Sequence, residues 1–422
     1  MDIVYWIWLS LAVTPSGEAF GKLLSHFSDA KAIFDADDND IAKAVGSKSK
    51  DYRALCTKDL DAAREVLEYC TKKSIGILTY ADEAYPLQYK NISNPPVLLY
   101  YRGVLPNFNK DCFVSVVGTR RLTDYGRRNA FSIGYDLASS GAILVSGMAI
   151  GIDGVGHAGS LAANGVNVAF LGSGIDVCYP PQHLTLARRI VKTGCILTEY
   201  PPHTKPEKYN FPRRNRLIAA LSCASVVIEG NEKSGALITA RYAKEFGKIV
   251  YALPGNVDNK TSEASNLLIK NGAKLITSAC DIVADLEKMY LGVINPFKIE
   301  LKPRVDMERV FEELKISCVT ASDGIFARVR SKFERKPKSP ATPAEAPAKS
   351  EKRLSADEAT LDGASLHVYR KIPIDEEISI DELPDDEVDM KAVMRALLKL
   401  EMGCFIVMMP GERVKRIYNN ER

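Results

Sequence analysis

The chain has 422 residues, of which 46% are hydrophobic and 26% charged, and its formal net charge is +3. This is an ordinary globular composition, long enough for two or three domains. The apolar opening, residues 3–13, is short and contains Tyr5, Trp6, Trp8 and Ser10. We therefore interpret it as a buried first helix, which argues against a signal peptide or a membrane span at this point.

The nine cysteines are scattered along the chain, and no two of them have the CxxC spacing. Several lie within apolar, strand-like runs, where cysteine acts as a small hydrophobic residue. The five histidines show no local metal-ligand spacing either. This pattern predicts a cytoplasmic protein with neither a disulfide framework nor a metal site.

Positive charge is concentrated in the central part of the chain. Residues 111–280 carry a net charge of +7, whereas residues 1–110 carry −1 and residues 281–422 carry −3. Clustered positive charge attracts anionic partners. An anionic partner is therefore expected for residues 111–280.

Residues 1–75 alternate apolar helical stripes with polar turns. The runs YWIWLSLAV, FGKLLSHF, AKAIFDA and AAREVLEYC each predict a short helix. We expect them to form a small all-α domain. Residues 76–110, which contain several prolines, are predicted to form an extended connector.

From residue 111 onward, short apolar runs alternate with helical stretches. The runs are CFVSVVG, AILVSG, VNVAFLG, CILTEY, ASVVIEG and KIVYALPG. This alternation predicts an α/β domain over residues 76–290, with a Rossmann-like, doubly wound and mostly parallel sheet. Because ligands bind outside the carboxyl ends of such strands, the residues that end each run are the candidate site.

The last third of the chain changes composition twice. An extension over residues 291–354 contains one predicted helix, MERVFEELKIS, and ends in a linker rich in Pro, Ala and Lys at residues 331–354. Residues 355–422 read as three helices followed by a β-hairpin, which predicts a winged-helix-like module. Their net charge of −6 favours contact with protein over contact with DNA.

The predicted strand ends carry small and basic residues. Backbone N–H groups at a strand-to-helix turn attract anions, and guanidinium groups bind phosphate in a bidentate manner. The candidate phosphate-binding residues are Gly118, Thr119, Arg120 and Arg121 after the first run, Ser146, Gly147 and Gly151 after the second, Gly172 and Gly174 after the third, and Lys233, Ser234 and Gly235 after the fifth.

Residues 205–216 interleave cationic and aromatic side chains. A basic groove with stacking rings is the usual solution for binding single-stranded nucleic acid. One or two of the three arginines are expected instead to pair with Asp153, Asp176 or Glu199. The candidates in this stretch are Lys208, Phe211, Arg213, Arg214, Asn215 and Arg216.

Asp153 and His157 follow the second strand. Asp153 is expected to cap the helix that begins there. His157, one turn later, is expected to pack and hydrogen bond within the protein, and we do not assign it a role as a base.

Five ordered motifs resemble the DNA-processing protein A family, also called DprA/Smf. They are SGMAIGIDGVGH, LGSGIDVCYPP, FPRRNRLIAALS, SGALITARYA and ALPG followed by LLIKNGA, over about residues 80–285. The resemblance implies a protein of natural transformation that binds and protects incoming single-stranded DNA and helps to load a RecA-type recombinase. It also implies a homodimer formed through the sheet domain, without a cofactor or catalytic residue. The chain departs from the family at SEASNLLI, where Ala264 and Ser265 precede Asn266, so Asn266 is not predicted as a contact.

Two other interpretations belong to different functional classes. The sheet domain also resembles phosphoribohydrolases that cleave nucleoside monophosphates, with Asp153, Asp176 or Glu199 as the required carboxylate. The PGGxGTxxE loop of that group is absent from the sequence. In a purely structural interpretation, all the arginines form internal salt bridges. We predict a DNA-binding protein that is not an enzyme.

Overall fold

The computed structural model describes residues 3–300, 305–316, 319–320, 363–373, 378–385, 388–402, 406–409 and 413–416. The chain divides into two compact units, residues 1–336 and residues 337–422. The linker predicted at residues 331–354 lies outside the described residues. Among those that are described, no helix combines the length and the apolar character needed to cross a membrane.

Six helices open the first unit, and they include all four that the sequence predicts. Trp6 and Phe20 pack against Tyr80 with ring centroids 6.5 and 5.3 Å apart. One apolar cluster continues from these helices into the sheet. The domain boundary at residue 75 therefore stays a prediction. The helices are α1 Ile3–Ala12, α2 Ala19–Leu24, α3 Ala30–Asp35, α4 Asp38–Val45, α5 Tyr52–Cys56 and α6 Asp61–Lys72.

The predicted connector contributes two strands to the main sheet and contains a short helix between them. These are β1 Gly76–Thr79, α7 Leu87–Lys90 and β2 Leu98–Gly103. β1 pairs antiparallel with β2, and β2 pairs antiparallel with a later strand at Cys195–Thr198. The apolar residues of β2 are buried by this pairing, which explains why the segment does not remain a separate connector.

The α/β region follows the predicted alternation of strands and helices. All six strands predicted from the apolar runs are present. The elements are β3 Phe113–Val117, β4 Arg121–Leu122, α8 Asp124–Ser139, β5 Ile143–Ser146, α9 Ile152–Ala162, β6 Asn167–Phe170, α10 Leu184–Thr193, β7 Cys195–Thr198, α11 Asn210–Leu221, β8 Ala224–Val227, α12 Gly235–Glu245, β9 Ile249–Ala252, α13 Glu263–Lys270 and β10 Lys274–Leu275.

The main sheet has the strand order β1-β2-β7-β6-β5-β3-β8-β9-β10, and the strands from β7 to β10 run parallel. The chain moves outward from β3 through β5, β6 and β7, and then returns to β8 on the other side of β3. This confirms the doubly wound α/β fold. The reversal leaves a crevice outside the carboxyl ends of β3 and β8, where ligands bind in such folds.

Helix α14 Ala279–Glu287 closes the α/β region. The described part of the extension contains α15 Phe297–Glu300, α16 Met307–Leu314 and β11 Val319–Thr320. The helix predicted within MERVFEELKIS is therefore present as α16. Its Phe311 packs edge-on against Phe131 of α8, with ring centroids 5.7 Å apart. β11 runs parallel to β4, immediately after Arg120.

The second unit contains two α-helices and three short strands among its described residues. They are α17 Gly363–Lys371, β12 Ile378–Ser379, α18 Met390–Met402, β13 Ile406–Met409 and β14 Arg413–Arg416. β14 pairs with both β12 and β13. The second of the three predicted helices is a single 3-10 turn at Ile380–Glu382. The winged-helix assignment stays a prediction.

Candidate nucleic-acid interface

A cavity of about 950 Å³ lies at the carboxyl ends of β3 and β8. Its walls come from the loop after β3, the first turns of α11, the loop after β8 with the start of α12, and residues 260–261. The predicted residues that line it are Gly118, Thr119, Arg120, Arg121, Lys208, Phe211, Arg214, Asn215, Lys233, Ser234 and Gly235.

Five cationic side chains at this cavity are exposed and available for an anion. They are Arg120, Arg121, Lys208, Lys233 and Lys260. No ion pair among the described residues involves any of the five. Their positive charge is therefore not neutralised within the described part of the protein, and it favours a ligand that carries phosphate.

Phe211 forms an aromatic wall of the cavity. The Arg120 and Arg214 guanidinium carbons lie 5.5 and 6.0 Å from the centroid of its ring, and the Tyr179 ring lies 5.3 Å away. Gly172 lies against the same ring, because a Cβ at this position would come within 3.0 Å of it. Phe211 is thus held in place while remaining half-exposed, as a surface for base stacking requires.

The N-terminus of α12 opens at the cavity. The Ser234 side chain accepts a hydrogen bond from the backbone N–H of Ala236 at 3.3 Å, so it caps this helix. The Asn215 side-chain amide donates to the Gly235 carbonyl at 3.3 Å, which ties α11 to the same turn. The partial positive charge of a helix N-terminus adds to that of Lys233 beside it.

Arg214 lies beneath the cavity and joins the ends of two strands. It donates hydrogen bonds to the carbonyl of Gly147, at 2.9 Å, and to the carbonyl of Phe170. Burial lowers the pKa of Arg214 to about 10, and nearby Asp153 opposes this shift. Asp153 accepts the Gly147 N–H at 3.1 Å. Arg214 therefore has a bracing role even though part of its side chain reaches the cavity.

Ser146 and Gly151 shape the floor of the cavity without lining it. The buried Ser146 hydroxyl donates to the Val116 carbonyl at 2.6 Å. Gly151 has a φ of +90°, and a Cβ there would lie 2.3 Å from the Thr119 carbonyl oxygen. Only glycine permits this approach between the loops after β3 and β5.

Arg216 does not reach the cavity. It is fully buried and forms an ion pair with Glu199, at the end of β7. Burial raises the pKa of Glu199, and Arg216 opposes this shift. Although Arg216 is among the residues predicted to bind DNA, its position is that of the internal brace expected for one of the arginines. Arg216 provides the positive charge that compensates the buried carboxylate of Glu199.

Arg213 and Gly174 also lie outside the lining. Arg213 is half-buried, and its guanidinium carbon lies 5.2 Å from the centroid of the exposed Tyr209 ring. Gly174 is buried against the loop at Pro201, because a Cβ there would come within 2.8 Å of the Pro201 carbonyl oxygen. Neither residue therefore faces the cavity directly.

Comparison with known proteins places this arrangement in a family. Residues 76–287 match the family model of DNA recombination-mediator protein A. The chain belongs to this family. The resemblance to DprA/Smf proteins is thereby confirmed.

Two curated relatives and one solved structure illustrate the extent of the match. Protein Smf of Synechocystis is 44% identical over 225 residues, which are 53% of this chain and 56% of that protein. DNA processing protein DprA of Bacillus subtilis is 37% identical over 232 residues, or 55% of this chain and 78% of that protein. The X-ray structure of Streptococcus pneumoniae DprA matches with a TM-score of 0.59 and 29% identity, over 66% of this chain and 97% of that one. The chain thus spans little more than half the length of the Smf relative.

The three carboxylates considered for an enzyme are dispersed in this DprA-family chain. Glu199 is paired with Arg216. Asp176 accepts hydrogen bonds from the Tyr69 hydroxyl at 3.1 Å and from the His203 backbone at 2.8 Å. Of the three, only Asp153 lines the cavity. No cluster of metal-ligating side chains is found within the described ranges.

His157 is fully buried and does not line the cavity. Its Nδ1 hydrogen bonds with the side-chain oxygen of Asn167 at 2.8 Å. Burial lowers its pKa to about 4. Both observations agree with the packing role expected for this residue.

The structure adds Tyr179 and Lys260 to the site of this family member. Tyr179 belongs to the CYPP segment after β6, and Lys260 follows β9, so both come from loops at the edge of the sheet where ligands were expected. The sequence could have indicated both residues, because they are an aromatic and a basic residue within those loops. Asn266 clamps Gly255 by two hydrogen bonds, of 3.2 and 3.0 Å, and does not line the cavity.

Proposed function

We propose that this chain binds single-stranded DNA in the cavity at the carboxyl ends of β3 and β8. The observation that carries the proposal is the set of five exposed cations, without an ion pair among the described residues, around the half-exposed ring of Phe211. The cations neutralise phosphates, and the ring stacks on a base. The family's description as a DNA recombination mediator, and the names of the DNA processing relatives, support the same function.

Single strands suit this cavity better than duplex. In a duplex both faces of each base are covered by neighbouring bases, so Phe211 has no face to stack on. A single strand exposes its bases at little cost and lets its backbone follow the cations. Little sequence preference is expected, because every base has an aromatic face.

We propose a binding protein without catalysis. Asp153, the carboxylate at the cavity, is 8% exposed and accepts the Gly147 N–H, and its neighbour Arg214 is held by strand-end carbonyls. Asp153 thus stabilises the floor of the cavity. Release of free base from nucleoside monophosphates incubated with the protein would contradict this proposal.

The wider role that we propose rests on family membership. The protein protects incoming single-stranded DNA in natural transformation and helps to load a RecA-type recombinase in the cytoplasm. It acts as a homodimer formed through the sheet domain. Retention of a recombinase on the immobilised protein, and the mass of the protein in solution, test these two associations separately.

The central experiment compares a labelled single-stranded oligonucleotide with a duplex of equal length by fluorescence anisotropy over a salt series. We expect tighter binding of the single strand. If the five cations each neutralise one phosphate, log K falls against log salt with a slope of about −3.5. Equal affinity for duplex, or a flat salt response, would contradict the proposal.

Two variants separate charge from stacking in the same assay. Arg120→Ala removes one phosphate contact. Affinity should therefore fall, and the slope of log K against log salt should become less steep by about 0.7. Phe211→Ala removes the stacking surface, at roughly 1–3 kcal/mol per base, with little change in slope. Arg189→Ala, an exposed arginine on α10 outside the cavity lining, is the matched control and leaves both quantities unchanged.

A further inference from the structure

A second cavity, of about 410 Å³, lies between α6, β2 and α10 in the first unit. It shares no lining residue with the candidate DNA cavity. Its floor is aliphatic and includes the buried side chains of Leu171, Ile175 and Ile196. Such a floor favours an apolar ligand, or the apolar part of a larger one.

Three cationic side chains surround this apolar floor. Lys73 and Arg188 are exposed, whereas Arg102 is half-buried. None of them takes part in an ion pair with another described residue. Because Arg102 lines the cavity, its guanidinium group can donate charge-assisted hydrogen bonds to an anionic ligand there.

Among the described residues that line this cavity, Asp176 is the one acidic residue, and both of its oxygens already interact with protein groups. It accepts hydrogen bonds from the Tyr69 hydroxyl and the His203 backbone, and its Oδ2 lies 2.7 Å from Nδ1 of His203. The three cations therefore have no carboxylate of their own. The cavity combines an apolar floor with a positively charged rim.

We propose that this cavity is a second binding site, for a small amphipathic anion. The ligand has an apolar body, which lies on the aliphatic floor, and one carboxylate, sulfonate or phosphate group. The acidic group accepts hydrogen bonds from Arg102 and is attracted by Lys73 and Arg188. A neutral ligand would leave the three positive charges without a counter-charge, and a small inorganic anion would leave the apolar floor in contact with water.

Residues that are adjacent in the sequence line different cavities. Met148 and Cys178 line the second cavity, whereas Ala149 and Tyr179 line the first. Because the first cavity is also basic and aromatic, a test must show which cavity a probe occupies. Arg120 lines only the first cavity and Arg102 only the second, so they provide this distinction.

The probe is 8-anilinonaphthalene-1-sulfonate, whose fluorescence rises when it leaves water, compared with the uncharged N-phenyl-1-naphthylamine. We expect the sulfonate to bind at one saturable site on the full-length protein. Arg102→Gln should weaken its binding by about tenfold or more, which corresponds to losing a charge-assisted hydrogen bond. The uncharged probe should bind Arg102→Gln and the parent protein equally.

Two controls make the result specific. Arg189→Gln alters an exposed arginine next to Arg188 that does not line the cavity, and Arg120→Ala alters only the first cavity. Both should bind the sulfonate probe like the parent protein. Melting curves of every variant establish that it is folded. Absence of saturable binding, equal binding by Arg102→Gln and Arg189→Gln, or loss of binding in Arg120→Ala would each overturn the proposal.

Discussion

Arg213, Arg214 and Arg216 point in different directions because successive residues of α11 are about 100° apart around the helix axis. Arg213 lies against Tyr209, Arg214 reaches the carbonyls at the ends of β5 and β6, and Arg216 is buried with Glu199. Three chemically identical side chains therefore have three environments. Their contributions to stability and to DNA binding should differ accordingly.

Arg216→Ala should be strongly destabilising. The change leaves the buried carboxylate of Glu199 without its partner, at a cost of roughly 3–5 kcal/mol in the free energy of unfolding. Arg213→Ala removes a half-exposed cation–π contact and a charge that also acts on Glu199, but it leaves the Arg216–Glu199 ion pair in place, so it should cost clearly less than Arg216→Ala. Chemical denaturation of both variants measures the difference.

A double variant, Arg216→Met with Glu199→Leu, provides the control for this interpretation. Replacing both charges by apolar side chains removes the unpaired carboxylate, so it should recover much of the lost stability. If Arg216→Ala and Arg213→Ala were equally mild, the brace assigned to Arg216 would be incorrect.

His157 should make the protein sensitive to acid. Burial lowers its pKa from 6.5 to about 4, so the unfolded chain takes up a proton at a higher pH than the folded protein does. The stability from the neutral ring is complete above about pH 6.5 and is lost as pH falls through 4. The loss amounts to about 3 kcal/mol.

His157→Gln tests this pH dependence, since glutamine can still donate to Asn167 but does not titrate. Unfolding free energies measured from pH 7 to pH 4 should fall less steeply in His157→Gln than in the parent protein. His26→Gln, which alters an exposed histidine, should leave the slope unchanged. Equal slopes in all three proteins would show that His157 is not the titrating group.

At the scale of elements, the cavity depends on how closely the loops after β3 and β5 approach each other. The backbone N–H of Ile152 donates to the Thr119 carbonyl at 3.2 Å, and Gly151 packs against Arg120. On the other side of β3, the Thr119 N–H donates to the Glu229 carbonyl at 2.7 Å. Hydrogen bonds to both neighbouring loops thus hold the turn that carries Arg120.

Gly151→Ala should disturb both stability and DNA binding. The new Cβ would lie 2.3 Å from the Thr119 carbonyl oxygen, so the loop carrying Arg120 must move. Gly46→Ala is the matched control, because Gly46 also has a positive φ, of +82°, but has no atom within 4 Å of the added Cβ.

Gly46→Ala should cost only the backbone strain, about 1–2 kcal/mol, and leave DNA affinity unchanged. Gly151→Ala should cost more and also weaken single-strand binding. Denaturation curves and anisotropy measure the two effects. A Gly151→Ala variant that matched Gly46→Ala in both assays would argue against this account of the loop.

At the scale of the whole molecule, the central part of the chain is positively charged and its C-terminal part is negatively charged. The candidate DNA cavity lies within the first unit, in a region with a net charge of +7, whereas residues 355–422 carry −6. An acidic module repels phosphate and suits contact with another protein. The second unit is therefore expected to be unnecessary for binding DNA.

Removing residues 337–422 should leave the affinity for single-stranded DNA within about twofold of that of the full chain, since the cavity and its cations remain. Anisotropy titrations of the two proteins at equal salt provide the measurement, and their melting curves show whether the shortened chain is folded. A large loss of affinity in a folded, shortened protein would show that the acidic unit contributes to the interface.

The local pattern of residues was enough to predict the elements around the site. Each of the six apolar runs became a strand, because strands of a parallel sheet are buried on both faces and read as continuous apolar segments. The glycines and basic residues that end them necessarily meet at one edge of the sheet. The ordered motifs then indicated the family, and the excess of positive charge indicated an anionic partner.

Only the tertiary structure decided the role of each side chain at that edge. Glu199 immediately follows β7, 17 residues before Arg216 in the sequence, and the ion pair depends on how α11 packs on the sheet. Residues 76–110 joined the sheet through β2 pairing with β7, a contact between segments about 95 residues apart in the sequence, which no local pattern reveals. Helix rotation, strand pairing and burial are properties of the assembled chain. For this reason the sequence determined where the candidate site lies, whereas the fold determined which residues line its cavity and which hold that cavity in place.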